Sequence, residues 1–198
     1  HEQLLQRLAE LPRQELSDSL DTDAERLAFW INVYNAHIQF FLKEHPEWYE
    51  DRGEFFKADR IEVAGKTLSF DKIEHGLIRR SKVKWSLGFL PKLFTNKFEK
   101  QFRVDEVDPR IHFALNCGAK DCPPVANYSA TKIDAQLDAS TERYLNNNSD
   151  YLPEENTVRV TSLMNWFRAD FGDRIEFLKR YDVIPEDADP SLDYRTYD

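Results

Sequence analysis

Apolar residues recur at helical spacing early in the chain and alternate only in a few short stretches later. Leu4, Leu5, Leu8 and Leu11 mark a short amphipathic helix over residues 2–11, which Pro12 closes. A longer pattern follows, in which Ala24, Leu27, Ala28, Ile31, Tyr34, Ile38, Phe41 and Leu42 return every three or four residues. It predicts a helix that starts at an Asp21 or Thr22 cap and stops before Pro46. Phe29, Trp30, Val33 and Phe40 spread apolar surface around its circumference, so this is expected to be the central buried helix.

Residues 60–63 and 67–70 alternate on either side of Ala64-Gly65-Lys66, which reads as a β-hairpin turned at Gly65. Ser69 or Asp71 caps a following helix, with Ile73, Leu77 and Ile78 turned inward and Glu74, His75 and Arg79 on its other faces. The stretch with Trp85, Phe89, Leu90, Leu93, Phe94 and Phe98 is broken by Gly88 and Pro91, so irregular structure leading to a short helix is expected, folded over the centre as a flap. Asp108-Pro109 turns the chain into a strand over residues 110–116. Ile133, Leu137, Thr141, Tyr144 and Leu145 define a helix over 130–145, followed by a turn through Asn146 to Ser149. Residues 157–161 read as a strand, Ser162 as the cap of a helix through Trp166 and Phe167, and 173–181 as a last helical turn or two before an extended tail. This order implies an α+β fold in a single domain over residues 1–198. Its long buried N-terminal helix and several further helices surround a small, mainly antiparallel sheet.

Composition narrows the function classes. With 41% hydrophobic residues in 198, the chain can bury a sizeable core. No apolar run approaches the roughly 20 residues of a membrane span, so the chain is not expected to be transmembrane. A net charge of -9 argues against general nucleic-acid binding, which rests on clustered Lys and Arg. The charge is uneven, however: from Gly76 to Arg103 eight basic residues face one acid, Glu99. That run is read as a solvated face, with an anionic ligand or membrane headgroups as the other readings. No secretory signal is present, and the start at His1 is expected of a trimmed or mature form.

Both cysteines fall in one loop, His112-Phe113-Ala114-Leu115-Asn116-Cys117-Gly118-Ala119-Lys120-Asp121-Cys122-Pro123-Pro124. Cys117 follows the expected strand, where a rigid element can present a reactive group. A thiol attacks only as thiolate and needs a base or cation nearby; His75 is the preferred base. Asp71, one helical turn before His75, is the local candidate to orient it, whereas Glu74 points about 100° away. His112 is the rival base, ranked lower because side chains five apart on a strand face opposite ways. The amides of Gly118 and Ala119, with the side chain of Asn116, Asn32 or Asn35, are candidate oxyanion donors. Asn32 and Asn35 lie on one face of the long helix. Buried amides left unpaired cost about 1–3 kcal/mol each, so these two are expected to bond the backbone of a neighbouring loop, the Cys117 loop above all. The structural alternative is a Cys117–Cys122 disulfide, which the spacing allows; if reversible, Cys122 becomes a resolving thiol. Zinc is disfavoured because no second paired cluster exists, and no metal or cofactor is expected.

Three blocks, Ala28-Phe29-Trp30-Ile31-Asn32-Val33-Tyr34-Asn35-Ala36, Ile73-Glu74-His75-Gly76-Leu77-Ile78-Arg79, and His112 to Ala119 with Cys122-Pro123, together resemble the domain of unknown function 547 family. The ending from Tyr194 to Asp198 resembles the start of that family's terminal Tyr-Asp-Trp motif, cut short here. The resemblance places Asn32, Asn35, Glu74, His75, Arg79 and Cys117 at motif positions. It brings no established activity, and implies an exported protein, periplasmic or secreted, with a cytoplasmic one as the alternative.

Two readings of function follow. One is a cysteine-dependent hydrolase or acyltransferase of papain or transglutaminase type, acting on a small molecule or peptide, with Cys117 attacking and His75 moving protons. The other is a non-catalytic cell-envelope domain that binds a ligand or partner, with Cys117–Cys122 as a staple. The first requires Cys117 and His75 to meet in space.

Overall fold

A computed structural model describes residues 2–84 and 86–196. Trp85 of the basic aromatic stretch and the last two residues of the C-terminal motif lie outside them. The chain begins with α1 (Glu2–Ala9) and α2 (Arg13–Ser19). The second of these was hidden in a polar stretch because only Leu16 of its seven residues is buried. The long helix α3 spans Asp23–Glu44. Thr22 caps it reciprocally with Glu25: the Glu25 amide donates to Thr22 Oγ1 at 3.3 Å and the Thr22 amide to Glu25 Oε2 at 2.8 Å. Such a cap is worth about 1 kcal/mol. Burial of a large side chain contributes about 1.5–3 kcal/mol, and Trp30, Ile31 and Ile38 are all fully buried on α3. Packing, more than capping, therefore fixes its position.

A short 3₁₀ turn (Pro46–Glu50) and α4 (Arg52–Lys57) bring Tyr49, Phe55 and Phe56 against the core. The hairpin β1 (Ile61–Val63) and β2 (Lys66–Leu68) is antiparallel, and Ala64 and Gly65 both take positive φ in its turn. The following helix, Lys72–Ile78, is a π-helix. A π segment within helical structure is rare and often marks a functional site. α5 (Lys97–Phe102) follows, capped by Asn96.

Where a strand is expected, the chain makes a 3₁₀ helix, Pro109–Phe113. Asp108 Oδ1 accepts from the Arg110 amide at 2.9 Å and Pro109 pre-sets the first turn. A continuous apolar run does not distinguish a strand from a fully buried helical turn. Here Ile111 enters one apolar cluster and Phe113 the other, so the segment joins the two.

The second cluster is built by α6 (Ile133–Asn148), β3 (Asp150–Leu152), β4 (Thr157–Thr161), the short helices α7 (Leu163–Trp166), α8 (Arg168–Phe171) and α9 (Arg174–Arg180), and β5 (Ser191–Arg195). The tail is therefore not a free extension: β5 pairs in parallel with β4, and β3 pairs antiparallel on its other edge. Ser162 does not cap α7 through its side chain; its hydroxyl donates to the Arg195 carbonyl instead. The α+β class holds, with two small sheets in place of one. Among the described residues no helix is long and apolar enough to cross a membrane.

Candidate functional site

A cavity of about 320 Å³ opens between α3, the π-helix, the Cys117 loop and α7. Tyr34, Phe56, Leu115, Leu163, Trp166 and Phe167 give it apolar walls, while Asp71, Glu74, His75, Lys84 and His112 converge on it from the polar side. Cys117 lines it as well. Residues far apart in sequence, His75 and Cys117, thus share one cavity.

Beneath the cavity runs a buried polar chain. Arg79 Nη1 donates to His75 Nδ1 at 2.8 Å and Arg79 Nε to Asp170 Oδ2 at 2.6 Å. His112 Nε2 lies 3.0 Å from the same carboxylate oxygen. The side chains of Arg79 and Asp170 are both 0% exposed. Phe167 is wedged into this chain, its ring stacked on His112 at 4.1 Å and lying 4.5 Å from the Arg79 guanidinium carbon. A guanidinium has no acceptor, so His75 Nδ1 must be the accepting nitrogen and the neutral ring carries its proton on Nε2. Burial, reinforced by the Arg79 charge, pushes the His75 pKa down to about 2. Burial also lowers the pKa of His112, although Asp170 opposes it. Asp170 itself is held below the ordinary carboxylate range by His112 and Arg79, against the pull of burial.

Glu74 behaves oppositely. Burial raises its pKa to about 7, with the neighbouring Asp71 charge adding to the effect and Arg79 resisting it. Its Oε1 lies 3.7 Å from His75 Nδ1, closer to the imidazole than a regular helix face predicts, while Asp71 Oδ1 is 3.8 Å from Nε2. With His75 neutral these are polar contacts and not ion pairs. Asp71 is instead paired with Lys84 at 2.7 and 2.9 Å. The contact that orients His75 comes from Arg79, so the position assigned to Asp71 is filled by a residue one turn later.

The cysteine loop is tied down from several sides. Cys117 and Cys122 form a disulfide, their Cα atoms 6.0 Å apart. Asn35 bonds the loop twice, donating to the Ala114 carbonyl at 2.9 Å and accepting from the Asn116 amide at 2.8 Å. Asn32 repeats the arrangement on Tyr128, at 2.7 Å to its carbonyl and 2.9 Å from its amide. α3 thereby holds both ends of the loop. Tyr49 donates its hydroxyl to the Cys117 carbonyl at 2.8 Å. Gly118 has φ of 80°, and a Cβ there would meet Leu42 Cδ1 at 2.8 Å, so glycine serves the turn and its close packing. Two of the expected oxyanion donors are engaged: the Gly118 amide donates to Asn116 Oδ1 at 2.8 Å, and Asn116 Nδ2 to the Pro123 carbonyl at 2.7 Å. His112 is not turned away from Cys117 as a strand would require; both line the cavity.

Sequence reasoning passed over Asp170, Phe167 and Trp166. A single Asp in a short helix carries no local sign that its carboxylate will neutralise an arginine 91 residues earlier. Among the described residues no three His, Cys, Asp or Glu side chains gather as a metal site.

A family described as "Protein of unknown function, DUF547" matches residues 17–145. The chain belongs to this family. The matched span carries α3, the π-helix with Glu74, His75 and Arg79, and the Cys117 loop, whereas Phe167 and Asp170, which complete the DUF547 site here, lie beyond it. Comparison with curated proteins found no match, and comparison with solved structures found none.

Proposed function

We propose that the cavity of this DUF547 domain is a small-molecule binding site in which Glu74 exchanges a proton with the bound ligand near neutral pH. The observation that carries the reading is the pairing, inside one apolar-walled cavity, of a carboxyl group titrating at about 7 with a neutral imidazole that presents Nε2–H. Concave apolar sites with a few convergent polar groups are where small ligands bind, and neighbouring titratable groups with pKa values pushed apart are the mark of acid–base assignment. The disulfide forms part of the wall. A bond of this kind persists in oxidising compartments, which supports a cell-envelope or secreted setting. The test is ligand-observed NMR of the oxidised protein against fragments with amide, carboxylate and amine heads. Binding is expected to change with pH around 7 in the wild type and to lose that dependence in Glu74→Gln. Fragments that bind indifferently to Glu74→Gln and to Trp166→Ala would overturn the reading.

A second reading, cysteine-dependent hydrolysis or acyl transfer, is favoured by one observation: Cys117 lines the same cavity as His75 and Glu74. It requires prior reduction of the disulfide by an external dithiol, which is itself oxidised to a disulfide as Cys117 and Cys122 become thiols. The freed thiol then passes its proton to the Glu74 carboxylate and its sulfur bonds to the carbonyl carbon. The leaving group departs with the proton that Glu74 returns, and water or another acceptor later breaks the thioester. His75 acts as a hydrogen-bond donor in this scheme and not as the base. Counting thiols under denaturing, non-reducing conditions and then alkylating after mild reduction tests it. Selective labelling of Cys117 that slows in Glu74→Gln is expected. Labelling at equal rates in Cys117 and Cys122, unchanged by that substitution, would sink it.

A further inference from the structure

The chain between the π-helix and α5 presents an apolar crest. Leu93 and Phe94 are 92% and 93% exposed, and Phe89 and Leu90 beside them are 59% and 50% exposed. The crest is held in place by its backbone. The Val83 amide donates to the Leu90 carbonyl at 2.8 Å and the Lys92 amide to the Ser81 carbonyl at 2.7 Å, around an antiparallel bridge between Lys82 and Pro91. The Ala169 amide anchors the tip through the Leu87 carbonyl at 3.1 Å, and the Arg168 guanidinium lies 5.6 Å from the Phe89 ring centre. Asn96 starts α5 two residues after Phe94. Four large apolar side chains gathered within six residues and turned outward mark an interaction surface.

The charge around the crest says what covers it. Arg80, Lys82, Lys97 and Lys100 are exposed or half-buried, and among the described residues none has a carboxylate within ion-pair distance. The chain as a whole carries -9, so this face opposes the sign of the rest. Leu and Phe flanked along the chain by exposed or half-buried Lys and Arg match an anionic bilayer: the apolar groups enter the headgroup and acyl boundary while the cations meet phosphates. A second copy docked through the same face by a two-fold axis would set these cations against one another. We infer that the Leu93–Phe94 crest and its flanking cations form a peripheral docking surface for an anionic lipid bilayer. Lys84, on the same hairpin, also lines the cavity, so docking would bring the cavity close to the bilayer.

Flotation with phosphatidylcholine vesicles, pure or mixed with phosphatidylglycerol, tests this on the full chain. The wild type is expected to float with the mixed vesicles and not with the neutral ones. Leu93→Ser with Phe94→Ser, and separately Lys97→Glu with Lys100→Glu, should each weaken partitioning by about tenfold or more, with circular dichroism unchanged because the substituted positions are at the surface. Three results would overturn the inference: no flotation of the wild type, equal flotation with neutral vesicles, or double variants that float like the wild type. A concentration-dependent dimer in sedimentation that Leu93→Ser with Phe94→Ser abolishes would also overturn it, assigning the crest to a second copy.

Discussion

His75 Nδ1 accepts a hydrogen bond from Arg79 Nη1 at 2.8 Å, and this one contact fixes the chemistry the imidazole can offer. The proton resides on Nε2, so His75 presents a donor to the cavity and leaves proton acceptance to Glu74.

The same arginine is compensated by Asp170 in a pair that solvent does not reach. Removing one partner of a buried pair leaves a bare charge and costs about 3–5 kcal/mol. Asp170→Asn keeps the shape and removes the charge, so urea unfolding should show a loss in that range. Arg79→Met with Asp170→Leu should recover part of it, since the two charges go together while His75 and His112 each lose a hydrogen-bond partner. Unchanged stability in Asp170→Asn would mean that the pair is not buried as described.

Glu74 and His75 have opposite effects on the pH dependence of stability. The folded Glu74 keeps its proton to about 7 against an ordinary 4.5, so its contribution is full below 4.5 and lost as pH rises to about 7. The folded His75 resists protonation down to about 2 against an ordinary 6.5, so its contribution is present above 6.5 and lost as pH falls. Between 4.5 and 6.5 the two slopes oppose one another. Glu74→Gln should therefore unmask a rise of stability with pH in that window, of about 1.4 kcal/mol per pH unit from the unopposed histidine. Denaturant midpoints measured across the window check it, and parallel curves for variant and wild type would contradict it.

Asn35 satisfies an acceptor at Ala114 and a donor at Asn116, and is itself 1% exposed. Asn35→Ala leaves both backbone groups unpaired, at about 1–3 kcal/mol each. The expected loss is at the upper end of single-substitution effects, accompanied by faster amide exchange at Asn116. Asn35→Asp retains the acceptor for the Asn116 amide but sets a buried carboxylate against the Ala114 carbonyl, so it should cost at least as much as Asn35→Ala.

Some of this was legible in the chain and some was not, for physical reasons. The long helix and its Thr22 cap could be read because helical periodicity and capping are local. The asparagines betrayed themselves because polar amides on an apolar helix need partners, and a nearby loop is the usual supplier. The 3₁₀ turn at Pro109–Phe113 has the continuous apolar run of a strand, since full burial erases periodicity. The π-helix that carries Glu74 and His75 has no composition signal. Strand β5 looked like a polar tail because its residues are exposed or half-buried and its pairing with β4 is tertiary. Asp170 as partner of Arg79 is tertiary in the same way.

Glu74 is the pivotal group of the cavity, and its carboxyl carbon can be followed directly by ¹³C NMR in protein labelled at the glutamate side chain, assigned by comparison with Glu74→Gln. The predicted result is one glutamate resonance, missing from that variant, that titrates with a midpoint near 7. A Glu74 resonance that titrates near the ordinary 4.5 with the rest would contradict the account.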